Sequence, residues 1–333
     1  MLQVTLLPGK GRGYKALETI EVGTVVHVSE PLATTVSQEW TPETCSWCFD
    51  FSYPKKQKTR IHDQTQLAKA WNIPYKKDSN LFKDVLFCSE KCRDTFQQQQ
   101  DQRLLAAYYR LDTEFKQQRE NTLCQSMSSI PTVDIQDDSM LSEWLEKAWD
   151  MATHDLDLVR PMEDTDKAMC RLIAACVISK LNGTTKPSFD SLWVIQNNEL
   201  SHFKSYCDAV PDLNQMDKQT LWSWLPEQVL HVMALYCLLK RAFSNRCFGV
   251  PVIEVDHALF RAIYFRERAN SFGLWEMSPD GTVTDDLELL GWGIYPSAVY
   301  FNHACDANVN KIREGRQLKD KRPVSLMDLS MTQ

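Results

Sequence analysis

The stretch Gly291–Asn308, GWGIYPSAVYFNHACDAN, decides how the rest of the chain is read. Its first half is short, Gly-bearing and strand-like, and it runs into a turn at Pro296. Its second half, Tyr300–Asn308, gathers two amides, an imidazole, a thiol and a carboxylate. An asparagine offers both donor and acceptor groups, and a histidine in a fixed loop offers two more hydrogen-bonding sites. That density suits the floor of a ligand site. Without neighbours to consider, His303 reads instead as an ordinary loop histidine with its hydrogen bonds satisfied.

Outward from this stretch, the chain divides by character. Residues 1–36 alternate β-branched residues with turn signals, as in VTLL, PGKGRG and TIEVGTVVHVSEP. Residues 41–95 show little apolar periodicity. From about residue 93 the pattern turns helical, 121–139 reads as a loop, and helices resume. In DTDKAMCRLIAACVISKLNG, Met169, Leu172, Ile173, Cys176, Val177 and Leu181 form one helical stripe, with Asp164 as N-cap and Gly183 as stop. Further helical segments are expected near 189–207 and 217–245, with a mixed pattern after Pro251. The ends are β and the middle is α, so the fold class is α+β.

The 333 residues carry a net charge of −7, with a pI near 5.6. That length supports one large or two ordinary domains. The acidic balance argues against direct nucleic-acid binding, and the basic run KKQKTR reads as a solvated face. No apolar run approaches the ~20 residues of a membrane span, so no membrane partner is expected. The N-terminus has no signal-peptide pattern, and most of the eleven cysteines sit singly in apolar surroundings. A reducing compartment follows as the expectation, nucleus and/or cytoplasm. The oligomeric state stays open.

Four cysteines stand apart. CSWC supplies Cys45 and Cys48, and FCSEKC supplies Cys88 and Cys92. Two thiolate pairs on tight knuckles suit one closed, tetrahedral structural Zn2+ site, and a metal explains how a poorly apolar segment can fold. The alternative is four unrelated thiols. The turn PGKGRGYKALETI lacks the order of a phosphate loop. Gly11 and Gly13 would let main-chain groups touch a ligand, and Arg12 could supply a charge-assisted contact to a carboxylate.

Three pieces in this order, GKGRGYKA…IEVGTVV…SEPLA, RANSFGLWE and GWGIYPSAVYFNHACDAN, resemble the split SET domain of protein-lysine methyltransferases, closest to the SMYD-type group. The resemblance implies a SET-domain β-clip core of short strands, split by a small zinc insertion and a large helical insertion. It places the N-terminal core in 1–40, a MYND-like zinc insertion in 41–95, helices in 96–255, the C-terminal core in 256–318 and a divergent tail in 319–333. It implies S-adenosyl-L-methionine as methyl donor and a histone or other protein lysine as acceptor. Lys10, Gly11, Arg12 and Gly13 would approach the donor's amino-acid end. Asn270 and Ser271, with Asn302 and His303, would hold its amino and adenine parts, and Phe272 would line the wall toward the substrate lysine.

The chain departs from the family pattern twice. The zinc insertion is abbreviated: residues 49–87 hold no further cysteine, and RDTFQQQQDQ after Cys92 holds neither Cys nor His. One zinc is therefore expected. After Asn308 the family continues to a GEEL-like stretch and a catalytic tyrosine, whereas residues 309–333 hold neither. The C-terminus is expected to be truncated or divergent, no catalytic residue is assigned, and Tyr295 and Tyr300 do not match the missing position. Cys305 is expected as a buried thiol. The alternative function is a catalytically inactive SET/zinc scaffold or protein-interaction protein.

Overall fold

The computed structural model describes residues 2–73, 75–76, 80–116, 130–183, 187–244, 253–277, 287–305 and 307–322. Strand β1 (Leu2–Leu7) pairs antiparallel with β2 (Gly11–Ala16), in register from Leu2↔Ala16 to Leu7↔Gly11. β3 (Val25–Ser29) and β4 (Ala33–Val36) follow. The next segment carries β5 (Thr59–Arg60), α1 (Gln64–Ala70), β6 (Leu86–Phe87) and α2 (Glu90–Gln99). A helical region holds α3 (Gln102–Lys116), β7 (Thr132–Asp134), α4 (Asp138–Thr153), α5 (Asp164–Asn182), α6 (Glu199–Lys204), β8 (Ala209–Pro211), α7 (Lys218–Trp224), α8 (Glu227–Ser244) and α9 (His257–Asn270). The chain then returns to strands: β9 (Phe272–Trp275), β10 (Leu289–Ile294), β11 (Asn310–Glu314) and β12 (Gln317–Lys321). The architecture is α+β, as the residue pattern requires.

Both ends of the chain build the same sheets. One has the order β4-β10-β9 and the other β11-β12-β3. β10 pairs with β4 from Gly291↔Val36 to Ile294↔Ala33, and β12 pairs with β3 at Leu318↔Ser29 and Asp320↔His27. A small apolar cluster of Phe49, Leu274, Leu290, Tyr295, Ala298 and Leu318 pins these strands together. β12 runs three residues past the boundary at 318, and the tail 323–333 lies outside the described residues.

The helical middle follows the sequence in most details. α5 buries Met169, Leu172, Ile173, Cys176 and Val177 and ends at Gly183, whose φ is +63°. Leu181, expected on the buried stripe, is instead 47% exposed, because it lies in the last turn, beyond the packed length. The N-cap is Glu163, one residue before the expected Asp164; it forms a capping box with Asp166. Residues 189–207 form a 3-10 turn and the short α6 rather than a single helix. The mixed pattern after Pro251 conceals α9. Asp256 caps it by accepting from the Leu259 N–H at 2.7 Å, and Phe260 packs against Trp149 and Tyr236. Within the expected 121–139 loop, Thr132–Asp134 pairs with β8 and α4 begins at Asp138, while 121–129 lies outside the described residues.

A partly buried charge network, centred on the buried Arg171, joins the β5–α2 segment to the helices. Arg171 Nη2 donates to Asp84 at 3.0 Å and to Asp112 at 2.9 Å, and Lys167 Nζ donates to Asp84 at 2.5 Å. Burial pushes the Asp84 carboxyl up, but Arg171 and Lys167 outweigh it and hold the group below its ordinary value. Removing Arg171 leaves the partly buried Asp84 and Asp112 to share Lys167 alone, so Arg171→Met is expected to cost about 3 kcal/mol in urea unfolding. A carboxyl with a depressed folded pKa stabilises above its unfolded value and loses that contribution as pH falls through the folded value. The native protein should therefore lose stability on acidification below the ordinary carboxylate range, and Arg171→Met should lose less over the same window.

Candidate functional site

The four cysteines converge as their spacing requires. The Sγ atoms of Cys45, Cys48, Cys88 and Cys92 all lie within 4.8 Å of one another, with Cys48–Cys88 at 3.6 Å and Cys88–Cys92 at 3.5 Å. A tetrahedron with Zn–S bonds of about 2.3 Å has S···S edges of about 3.8 Å, so the cluster fits one zinc ion. The first knuckle closes through the Phe49 N–H on Cys45 O at 3.0 Å, with Phe49 at φ +59°. The second sits at the start of α2, where the Ser89 cap accepts from the Cys92 N–H. The helix N-terminus there favours thiolate charge. The hydrogen bond shared by Cys48 and Cys45 lowers the Cys45 thiol and raises that of Cys48, so the first proton of this pair leaves from Cys45.

The cysteine module is anchored to the C-terminal strands. Arg313 donates to Cys48 O at 3.3 Å, to Trp275 O at 2.9 Å and to Gly315 O at 3.0 Å. The Arg316 guanidinium lies 4.1 Å from the Trp47 ring centroid. A cleft of about 1070 Å³ opens between α2, α5 and the β11–β12 turn, lined in part by Glu30, Trp47, Asp101, Asn182, Glu314 and Arg316. None of the residues expected at the donor site lines it.

Those residues gather where the two chain ends meet. Asn302 Nδ2 donates to Arg12 O at 3.4 Å. Gly13 lies so close that a Cβ there would overlap the Asn302 amide, so the position requires glycine for approach. Gly11, at φ +73°, faces open space. Arg12 extends one guanidinium nitrogen to Val194 O at 2.9 Å and lies 5.8 Å from the Tyr300 ring centroid. It is therefore tied to the helical insertion and not wholly free for a ligand. Lys10 is exposed in the β1–β2 turn. His303 is exposed too, with Nε2 3.6 Å from Cys305 Sγ. Cys305, expected to be buried, is exposed, because the residues around it form a surface loop instead of packing inward.

The second motif arrives on the end of α9. Asn270 is its last residue and Ser271 its C-cap. Burial pushes the Glu267 carboxyl up to about 7, while its hydrogen bond with Ser271 pulls the other way. Phe272 opens β9 and meets Tyr295 edge-on at 5.9 Å. Tyr295 is fully buried and its hydroxyl donates to Arg316 O at 2.6 Å. Lys311 bridges the two motifs: its ammonium lies 4.8 Å from the Phe272 ring centroid and 5.1 Å from that of Phe301, the neighbour of Asn302.

Several of these groups escaped the sequence reading. Lys311, Asp320 and His27 lie in one row across β11, β12 and β3. Burial lowers the His27 imidazole below its ordinary value, with Asp320 opposing and Lys311 adding to the shift. Tyr14 closes the row, 5.3 Å from the His27 ring, 5.4 Å from Tyr300 and 4.8 Å from Phe301. Only the register of strands nearly 300 residues apart brings them together, and no local motif marks that register.

No family model matches the chain. Over 309 residues, 89% of this chain and 76% of the relative, it is 25% identical to the potential protein lysine methyltransferase SET6 of Saccharomyces cerevisiae. Over 94 residues, 28% of this chain and 22% of the relative, it is 24% identical to a SET and MYND domain-containing protein of Dictyostelium discoideum. The chain is thus similar to proteins named for lysine methyltransferase and for SET and MYND domains, and its α+β architecture and four-cysteine cluster are consistent with that similarity. Among the described residues no helix is long and apolar enough to cross a membrane.

Elemental analysis should find about one zinc per chain. Cys88→Ser should lower that content and make residues 41–95 newly sensitive to limited proteolysis; unchanged zinc would refute the site.

Proposed function

We propose that the chain transfers a methyl group from S-adenosyl-L-methionine to lysine side chains of histone or other proteins. One observation carries this reading: Gly13 and Asn302, from two motifs at opposite ends of the chain, meet in direct contact. Bound S-adenosyl-L-methionine would supply an electrophilic methyl on its sulfonium. The residues around it have the matching chemistry. The β1–β2 turn offers main-chain groups without side-chain bulk, and Lys10 offers a positive charge to a carboxylate. Asn302, His303 and Asn270 offer paired donors and acceptors to amino and adenine groups. Phe272 and Phe301 offer apolar faces against which the alkyl chain of an acceptor lysine can pack. Holding the lysine amine in line then supplies much of the acceleration.

The reading includes zinc as a structural ion holding the module of Cys45, Cys48, Cys88 and Cys92, and nucleus or cytoplasm as the site of action. A second reading is a zinc-bearing scaffold that binds partners without turnover. It is favoured by Arg12, whose guanidinium is engaged by Val194 O at 2.9 Å.

The experiment is transfer of labelled methyl from S-adenosyl-L-methionine to a histone and peptide panel, with donor titration by calorimetry. The native chain should bind the donor and label a lysine peptide, and Asn302→Ala should weaken donor binding at least tenfold. Donor binding without transfer would favour the scaffold. No donor binding at all would sink both the donor site and the methyltransferase reading.

A further inference from the structure

Lys311 sits in an unusual place for a strand lysine. Its ammonium donates to Asp320 Oδ1 at 2.8 Å, and Asp320 is 1% exposed. The other carboxylate oxygen, Oδ2, is buried with no hydrogen-bond partner among the described residues. Aromatic faces stand against the same ammonium, with Phe272 at 4.8 Å and Phe301 at 5.1 Å to the ring centroids. Phe272 directly follows Asn270–Ser271, and Phe301 directly precedes Asn302–His303. An unbranched alkyl chain ending in a cation is thus held by a buried carboxylate between two rings, beside both motifs expected to hold the methyl donor.

A cross-strand ion pair that merely braces β11 against β12 does not need these features. Surface pairs leave both partners largely in water and gain little. Here the carboxylate is buried and only half satisfied, which costs stability that a bracing pair would not need to spend. Aromatic faces and a carboxylate are also what recognition of a lysine side chain requires.

We infer that Lys311 fills the acceptor slot from within and determines which acceptors enter it. This deepens the proposed function and rests on it. The slot's ligand class is a primary ammonium on a straight alkyl chain, the lysine side chain. An incoming lysine must displace the Lys311 ammonium from Asp320 and the two phenyl faces. While Lys311 stays, a second ammonium meets like charge at short range.

The probe is n-butylammonium, which has the four carbons and the amine of a lysine side chain. It is titrated into native protein and Lys311→Ala, followed by thermal unfolding and by calorimetry. Lys311→Ala should bind the probe at least tenfold more tightly than the native chain, and its Tm should rise with probe concentration. n-Butanol, which lacks the charge, should do neither. Lys218→Ala, which removes an ammonium paired with Asp155 and Asp157, should gain no binding. Lys311→Thr, β-branched and suited to a strand, supplies the same comparison if the alanine variant does not fold. Equal binding by native and variant proteins, or equal effects of butanol and butylammonium, would overturn the inference.

Donor titration on the same proteins separates the two readings. Loss of donor binding in all of them defeats the proposed function, and normal donor binding without the gain in ammonium binding defeats this inference alone. With labelled donor, lysine peptides should be methylated at least tenfold faster by Lys311→Ala than by the native chain. Probe binding without faster transfer would overturn the acceptor role of the slot.

Discussion

The antiparallel hydrogen bonds between Leu318–Lys321 and Val25–Ser29 are the constraint on which the remaining structure depends. With the pairing of β10 on β4, they bring the two ends of the chain into shared sheets. Side chains in a strand alternate between faces, so a slip of one residue would turn Asp320 away from His27 and Lys311. The pairing also carries the segment after β10 back to the β1–β2 hairpin, where Asn302 reaches Arg12 O. Loop-closure entropy grows only slowly with length. Hence more than two hundred residues can stand between β4 and β10 without forbidding the closure, provided they fold on their own.

The intervening segments are docked largely by charge and rings. Arg171 ties Asp84 to Asp112, and Arg313 and Arg316 fasten Cys48 and Trp47 to the β11–β12 turn. Buried ions of this kind add little net stability compared with apolar packing, because desolvation offsets their attraction. Their geometry is directional, however. A guanidinium fork accepts only a narrow range of partner positions, so these contacts set how the cysteine module sits against the strands. The apolar mass lies elsewhere, in α3, α4, α5 and α8, whose buried faces form the large core.

At the junction of the ends, close approach and burial act together. Gly13 lacks the side chain that would exclude Asn302, and the rings of Tyr14, Tyr300, Phe301 and Phe272 stand around a polar row whose carboxylate, Asp320, is buried. In such surroundings each charge acts over its neighbours more strongly than it would in water. That is why one ammonium, Lys311, matters to the chemistry available there.

Much of this was legible without coordinates. The 3.6-residue stripe of α5, the paired spacing of four cysteines, and the crowding of Asn302 and His303 after a strand are all local patterns, set by helix period, ligand geometry and side-chain chemistry. The short pieces were not legible. α9 hides in a stretch whose apolar residues point to several neighbours, and Leu181 belongs to the stripe by period yet lies in the exposed last turn of α5. Cys305 looks apolar by type and lies exposed in a loop. The sequence by itself determined the α+β class, the paired cysteines that converge and the motifs that meet at the chain ends. Only the tertiary structure decided that Lys311, Asp320 and His27 share a row against Phe272 and Phe301. Strand register between distant segments follows from closing the whole core, and no stretch of residues encodes that alone.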